Sequence, residues 1–179
     1  MSKIAKIADG AKVAPLLWEL QANPQLWNEY GQRTADPESP HHEVDDIWLR
    51  YAEPENADKP GPHESVWYPS AALLPIRELV YPLMQFVKGE RLGGILITRI
   101  RAGKQCKPHR DDGWHARYYE KFAVQVQSAP GQFFCFEDER LETLPGDVFT
   151  FDNSHLHWVT NDTPHDRITL ICCIRTDKG

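Results

Sequence analysis

The sequence predicts a mainly β (α+β) fold, in which the strands form a sandwich or barrel and helices from the N-terminal part cover it. Beyond Gly94 the chain consists of closely spaced runs with strand character, and before it lie two stretches with apolar residues at helical spacing. Because 179 residues suit one hydrophobic core, we expect a single domain over residues 1–179. Residues 1–90 should supply covering helices, one flanking strand and a loop, and residues 91–176 the β core.

Two helical segments are predicted in the N-terminal half. The first carries a stripe of apolar residues after Pro15, which a first helical turn tolerates: Val13, Leu16, Leu17 and Leu20. The second stripe runs from Ile76 to Val87 and contains Pro82, which has no N–H to donate. We therefore expect two short helices there, or one bent helix.

An acidic, proline-rich segment separates the two helices. Residues 35–64 carry nine acidic side chains against two basic ones, which predicts exposed loop for most of this segment. The run DDIWLRY within it alternates like a strand with two distinct faces, and we expect it to flank the main sheet. His41, His42 and His63 are interpreted as exposed loop histidines, and no second metal is predicted.

The β core is predicted from short runs that follow one another with turns between them. Seven such runs are present: GILITRI, CKPH, EKFAVQVQS, QFFCFE, DVFTF, HLHWVTN and RITLICCIRT. In the turn LPGD, Pro145 and Gly146 suit the two central positions of a type II turn, the second of which needs a positive φ. That turn should fix the entry into the strand that follows.

Charge and cysteine content disfavour nucleic-acid binding and indicate the compartment. The net charge of -6 and the pI near 5.7 give no electrostatic reason to bind nucleic acid. Four cysteines without disulfide or zinc spacing indicate reduced thiols and a cytoplasmic protein. Charged residues interrupt the apolar ones near the N-terminus, so we expect no membrane segment. Nothing in the sequence indicates the oligomeric state.

One constellation carries chemistry. His109 and Asp111 lie two residues apart, so on an extended strand end both side chains point to the same side. A later strand offers His155 and His157, and spacing alone does not choose between them. Two imidazoles and one carboxylate on one face are the triad that suits non-haem Fe(II) and leaves coordination positions open.

An arginine on the last strand adds a second requirement. Arg167 lies ten residues past His157 and shares a strand face with Thr169, Ile171 and Cys173. A buried guanidinium there could clamp the far carboxylate of a dicarboxylate whose other end chelates iron.

These residues carry a family resemblance. The segments LITRIRAGKQCKPHRDD, GDVFTFDNSHLHWVTND and RITLI resemble the aspartyl/asparaginyl β-hydroxylase-like group of 2-oxoglutarate oxygenases, over roughly residues 44–175. The resemblance implies a double-stranded β-helix, or jelly roll. It also implies that His109 and His157 are iron ligands, that Arg167 binds 2-oxoglutarate and that the hydroxyl of Thr98 contacts this cosubstrate.

Two positions depart from the family pattern. Animal members that hydroxylate protein domains lack the carboxylate ligand, whereas Asp111 is present here, so the chain resembles the bacterial and phage-like branch. The family's R-x-H is replaced by Lys121, Phe122 and Ala123, and Lys121 is expected to supplement Arg167. The implied reaction uses Fe(II), 2-oxoglutarate and O2 to hydroxylate an unactivated C–H, in an Asp or Asn side chain of a polypeptide or in a small molecule.

Several alternatives stay open at this stage. A cupin-like metal enzyme that does not use 2-oxoglutarate, or a non-catalytic β-sandwich binding module, would share the strand pattern. Asp112 competes with Asp111, although the two-residue spacing from His109 favours Asp111. Trp114, Tyr118 and Tyr119 are either substrate-mouth residues or packing. Between Arg99 and Lys121, seven basic residues face three acidic ones, which would attract an anion, with the 36–64 segment as a lid.

Overall fold

A computed structural model describes residues 2–57, 59 and 61–176 of the chain. Its strands are β1 (Ile4–Ala8), β2 (Val44–Tyr51), β3 (Val66–Trp67), β4 (Gly89–Ile100), β5 (Gln105–His109), β6 (Glu120–Gln127), β7 (Gln132–Phe136), β8 (Arg140–Glu142), β9 (Val148–Phe151), β10 (His157–Asn161) and β11 (Arg167–Thr176). Its α-helices are α1 (Ala14–Ala22), α2 (Arg77–Phe86) and α3 (Gly113–Tyr118). Short 3₁₀ turns cover residues 24–26, 54–56 and 69–72.

The strands form two antiparallel sheets. The major sheet has seven strands in the order β1-β9-β6-β11-β4-β2-β3, and the minor sheet has four in the order β5-β10-β7-β8. Phe134 and Val159 of the minor sheet pack against Phe149 and Ile100 of the major sheet, which makes the core between the sheets. The prediction of a mainly β double-stranded β-helix is confirmed.

The other face of the major sheet is covered by helices. Leu16 and Leu20 of α1 and Val80 of α2 share one apolar cluster with Ile97 of β4. The major sheet is therefore buried on both faces, and this explains why the β2 residues from 44 to 49 are all buried. The strand predicted from DDIWLRY thus lies in the major sheet between β4 and β3, and α-helices cover the side of the sheet that would otherwise face water.

The N-terminal 90 residues contribute more strands than the sequence predicts. Besides β2, they supply β1 and β3 to the major sheet. β1 pairs with β9 at the sheet edge, and only Ile4 of its residues is buried, so its pattern lacks the alternation that identifies a strand. The second helical stripe forms one helix, α2, with Pro82 inside it and the end of the helix at Phe86, about one turn later. No helix among the described residues is long and apolar enough to cross a membrane.

The predicted turn before β9 is present and its glycine is constrained. Gly146 has a φ of +90°, and the N–H of Asp147 donates to the carbonyl of Leu144 at 3.0 Å. A Cβ on Gly146 would lie 2.9 Å from the carbonyl oxygen of Ala11. The turn thus needs glycine both for its φ and for the close approach of a second backbone segment.

We expect Gly146→Ala to lower the free energy of unfolding by about 1–3 kcal/mol, because it combines a strained φ with a backbone clash. The matched control is Gly103→Ala, where φ is +71° but no atom lies within 4 Å of the added Cβ. Urea unfolding of both variants measures the difference. Equal losses in the two variants would show that the contact with Ala11 contributes nothing.

Candidate metal centre

Two histidines and one aspartate meet at the open end of the minor sheet. His109 ends β5 and lies opposite His157, the first residue of β10, with their ring centroids 4.3 Å apart. Asp111 follows two residues beyond β5, and its Oδ1 is 3.5 Å from Nε2 of His109. One donor atom from each of the three residues lies within 4.8 Å of the others. The structure thus brings together the three residues that the sequence predicts as iron ligands.

The backbone hydrogen bonds of the two histidine rings use Nδ1 and leave Nε2 for a metal. Nδ1 of His109 lies 2.7 Å from the carbonyl of Lys107, and Nδ1 of His157 lies 2.9 Å from the carbonyl of His155. Because a carbonyl oxygen can only accept, each Nδ1 carries the proton in these bonds. Nε2 of each ring is then the nitrogen that can bind a metal, and a metal bound there would replace the proton that Nε2 of His109 otherwise shares with Asp111.

Asp111 is oriented by a residue that the sequence analysis did not single out. Asn153 donates from Nδ2 to Oδ2 of Asp111 at 3.0 Å, and its carbonyl accepts the N–H of Asp111 at the same distance. Asp111 therefore lies in a loop and owes its direction to Asn153 and not to strand alternation. The run F-D-N-S before His157 contains this asparagine, but only the pairing of β5 with β10 brings it to Asp111.

The electrostatics of the cluster keep the carboxylate charged. Burial alone would raise the pKa of Asp111, but Lys121 and His109 hold it far below its usual range. Burial would likewise lower the pKa of His109, yet its hydrogen bonds to Asp111 and Cys106 raise it to about 10. Burial lowers the pKa of His157. The cluster attracts a positive charge, and a divalent cation fits this donor set.

The two residues that compete for ligand positions, His155 and Asp112, make contacts outside the cluster. The His155 side chain is 50% exposed and its Nδ1 is 3.2 Å from Asp152. Asp112 caps α3 by accepting the N–H of Gly113 at 2.6 Å, and it pairs with Arg117 at 2.5 Å. Spacing alone left the choice between His155 and His157 open and only favoured Asp111 over Asp112. The geometry places His157 and Asp111 at the site.

Arg167 is a buried cation without a carboxylate partner. It is 3% exposed, its Nη1 donates to Oγ1 of Thr169 at 2.6 Å, and Nη2 lies 3.4 Å from Oγ1 of Thr143. Its Nε has no hydrogen-bond partner, and no carboxylate in the described part of the chain pairs with it. Burial lowers its pKa to about 10. An unpaired guanidinium in this position fits the carboxylate of a bound ligand.

The three donors and Arg167 line one cavity between the two sheets, with a volume of about 70 Å³. Thr98 of β4 lines the same cavity and lies opposite Thr169 in β11. Lys121 of β6 also lines it, but its Nζ lies 3.5 Å from Oδ2 of Asp111. The contact found for Lys121 is therefore with the metal end, and a role beside Arg167 stays a prediction.

The N-terminal loop contributes residues that the sequence analysis assigned to solvent. His41 lines the metal cavity, with its ring edge-on to His109 at 4.5 Å between centroids. His63 stacks on His115 at 5.5 Å, whereas His42 is exposed as expected. The expectation of exposure is thus wrong for His41 and His63. Local sequence could not reveal this, because the loop before β2 that carries His41 is tied to the buried Asp46 by Arg33, and His63 is placed against His115, more than 50 residues later in the chain.

The expected anion-attracting cluster is largely neutralised. Arg99 and Arg101 both pair with Asp45, and Lys104 pairs with Glu43. These ion pairs leave less free positive charge in the cluster to attract an anion, and a lid role for the 36–64 segment stays a prediction.

The aromatic candidates that follow the first ligands pack against one another. Trp114 stacks on Tyr118 at 5.1 Å between centroids, and Tyr119 is buried. None of the three lines the metal cavity. Their neighbour His115, which the sequence analysis did not single out, accepts the N–H of Gly94 at 3.1 Å and lines a cleft beside the metal.

His115 should make the protein sensitive to acid. Burial lowers its pKa to about 3, below the value of 6.5 expected in the unfolded chain. The unfolded state then binds a proton that the folded state does not, so stability falls as the pH drops from about 6.5 to 3. We expect the His115→Gln variant to take up about one proton fewer on unfolding than the wild type does in this pH range. The slope of the unfolding free energy against pH measures this difference. An unchanged slope would contradict a neutral His115 in the folded protein.

Comparison with known proteins gives one family match. A family model described as aspartyl/asparaginyl β-hydroxylase matches residues 76–176, a span that contains all three donors and Arg167. A search of the curated proteins found no match to the chain.

Solved structures of similar fold cover nearly the whole chain. A prolyl hydroxylase from Trichoplax adhaerens, in complex with a hypoxia inducible factor peptide fragment, has a TM-score of 0.61 at 10% identity, over 98% of this chain and 84% of that one. A viral collagen prolyl hydroxylase from Paramecium bursaria Chlorella virus-1, in complex with 2OG, has a TM-score of 0.60 at 12% identity, over 98% of this chain and 97% of that one. A 2OG-Fe(II) oxygenase family oxidoreductase from Burkholderia pseudomallei has a TM-score of 0.59 at 14% identity, over 99% of this chain and 86% of that one. At these identities the likeness shows the fold alone.

Proposed function

The chain belongs to the aspartyl/asparaginyl β-hydroxylase family, and from this premise we propose that it is an Fe(II)- and 2-oxoglutarate-dependent hydroxylase with His109, Asp111 and His157 as its iron ligands. Two neutral imidazoles and one carboxylate on one side of a metal leave the opposite side for cosubstrate and O2. Arg167, Thr98 and Lys121 are the proposed cosubstrate-binding residues.

One observation carries the proposal: a buried arginine without a counter-ion shares a cavity with the three donors. A cupin-like enzyme that needs only a metal has no use for such a charge, and burying it costs free energy until an anion binds. A dicarboxylate can satisfy Arg167 with one end and reach the metal with the other. This is the chemistry of 2-oxoglutarate.

The residues around the cavity suggest how the site works. When bound, iron and 2-oxoglutarate supply, with O2, the chemistry that converts the cosubstrate to succinate and CO2 and a C–H bond to C–OH. Thr169 and Thr143 hold the guanidinium of Arg167 in position, and Asn153 holds the carboxylate of Asp111. Apolar side chains of both sheets complete the lining and exclude bulk water: Leu96, Phe134, Phe149, Phe151, Val159 and Ile171.

For the substrate we propose an Asp or Asn side chain in a polypeptide. The family description supports the residue type, and the cleft beside the metal is open to the surface, so a side chain can enter from outside. We also propose that the protein works in the cytoplasm, because its four cysteines are free and buried and a reducing compartment preserves them.

The test of this function has a binding arm and a turnover arm. Adding 2-oxoglutarate to the anaerobic Fe(II) protein should produce the visible metal-to-ligand band of a chelated cosubstrate. With O2 and a candidate peptide, succinate should form together with a product heavier by about 16 Da, the mass of the oxygen atom inserted into a C–H bond. Stoichiometric iron without the band would point to a cupin-like enzyme, and the absence of iron to a binding module.

A further inference from the structure

A second cleft adjoins the metal cavity and leads to the surface; we call it the outer cleft. It shares with the cavity Arg33, His41, Leu96, His109, Asp111 and Lys121. Trp48, Tyr51 and His115 give it aromatic walls. Since the cleft ends at Asp111 and His109, a group that enters through it arrives at the metal.

Arg33 is fixed at the junction of the outer cleft and the cavity. Its Nε donates to Oδ2 of Asp46 at 2.6 Å, and its Nη2 donates to Oδ1 at 2.9 Å. Asp46 is 0% exposed, and its backbone N–H donates to Asn28 at 3.0 Å. Oγ of Ser39 donates to the carbonyl of Arg33, which ties the loop together. The guanidinium is therefore held in one orientation before any ligand arrives.

The pairing with Asp46 uses only one edge of the guanidinium. Arg33 has five N–H groups in a planar fork, and Asp46 occupies the edge formed by Nε and Nη2. Nη1 has no hydrogen-bond partner among the residues that the structure describes, and the Arg33 side chain keeps 25% of its surface exposed. The edge formed by Nη1 and the second N–H of Nη2 is thus available to a second carboxylate.

The net charge of the space shared by the cavity and the outer cleft favours an anionic substrate group. With Fe(II) and 2-oxoglutarate bound, the charges of the metal and Arg167 are balanced by Asp111 and the dicarboxylate. Asp46 balances Arg33, so Lys121 remains as one uncompensated positive charge in the shared part of the cavity and outer cleft. One carboxylate from the substrate would neutralise it.

We propose that Arg33 is the substrate-recognition residue of this site and that its free edge binds a carboxylate of the substrate. This inference rests on the proposed function and adds a preference to it: an acidic substrate side chain, or a free acid, over its amide. It also assigns a role to a loop residue that precedes the span matched by the family model.

The test uses the anaerobic Fe(II) protein with saturating 2-oxoglutarate, so that Arg167 is already occupied. The probes are a blocked Gly-Asp-Gly peptide, the blocked Gly-Asn-Gly peptide and N-acetyl-aspartate, with NMR titration as the readout. We expect the aspartyl peptide to bind at least about tenfold more tightly than the asparaginyl one, the ratio that one charge-assisted hydrogen bond gives. The tighter of the two acids identifies a polypeptide or a free-acid source, and either supports the proposal.

Variants assign the preference to Arg33. Arg33→Gln alone leaves Asp46 buried without a partner and can unfold the protein, so Arg33→Gln is combined with Asp46→Asn. This double variant should bind both peptides with equal affinity, and Arg33→Lys should recover part of the preference. The control is Arg140→Gln, which removes an exposed arginine on β8 that lies over Phe133 and outside both clefts.

Two results overturn the inference. One is a wild-type protein that binds the aspartyl peptide no better than the asparaginyl one, or binds neither. The other is a double variant that keeps the preference. In both cases an intact visible band with 2-oxoglutarate shows that the proposed function stands, whereas loss of the band in the wild type would mean that the function itself has failed.

Discussion

His157→Ala should retain no stoichiometric iron and should lose more than about 100-fold in turnover. Loss of a residue that only orients a ligand typically costs 10–100-fold in metal affinity or activity, and loss of the ligand itself should cost more. The imidazole of His157 is buried among Phe134, Phe136 and Phe151, so an alanine leaves an apolar gap that offers the metal no other donor. Metal analysis after anaerobic reconstitution, together with succinate release, measures the effect.

His155→Ala is the matched control. This histidine lies two residues away, is half exposed and pairs with Asp152, so its loss should leave iron content and turnover within about twofold of wild type, as for most surface substitutions. The same comparison can be made with Asp111→Ala and Asp112→Ala. Iron loss in the His155 variant and not in the His157 variant would reverse the ligand assignment.

Arg167→Met should raise the apparent KM for 2-oxoglutarate by about 100-fold or more. The substitution removes a guanidinium that can form two charge-assisted hydrogen bonds with a carboxylate, each worth about 1.5–3 kcal/mol. It should also stabilise the protein without cosubstrate by about 1–3 kcal/mol, because a buried charge that has hydroxyl partners but no carboxylate is replaced by a shorter apolar chain. Opposite effects on binding and on stability are the signature of a charge kept for a ligand.

Titration with 2-oxoglutarate, followed by the visible band, measures the loss of cosubstrate binding. Thermal unfolding without 2-oxoglutarate measures the gain in stability. Arg175→Gln is the control, since Arg175 lies on the same strand, outside the cavity, and donates to the carbonyl of Tyr118 at 3.2 Å. A destabilised Arg167→Met protein would mean that the arginine already has a stabilising partner, and an unchanged KM would remove it from the cosubstrate site.

Local sequence predicted a large part of this molecule. The seven predicted core strands, the first helix and the turn at Gly146 all occur where the periodicity and the turn residues place them. Arg167 and Thr169 share the strand face that lines the cavity, as alternation along β11 requires. These features depend on residues only a few positions apart, so a single sequence contains the whole signal.

The features that the sequence did not predict share a different cause. β1 is an edge strand whose identity depends on pairing with β9, more than 140 residues later in the chain. His41 and Arg33 line the metal cavity from a loop that is held by the ion pair of Arg33 with Asp46, buried in β2, and by the hydrogen bond from the N–H of Lys107 to the carbonyl of Pro40. No period or motif within the loop records these contacts.

The sequence by itself predicted the reaction class through H-x-D, a later histidine, an arginine on the last strand and the family resemblance that these segments carry, and it left a cupin-like enzyme and a binding module as alternatives. Spacing left His155 and His157 open and the resemblance named His157. The tertiary structure placed His157 beside the other two donors, gave Asn153 its hydrogen bond to Asp111 and brought Arg33 to the cleft. The reason is physical: which side chains meet across two sheets depends on strand register and loop placement, which the whole core sets. The proposed substrate-recognition residue depends on such long-range contacts, whereas local spacing already indicated the H-x-D pair among the proposed metal ligands.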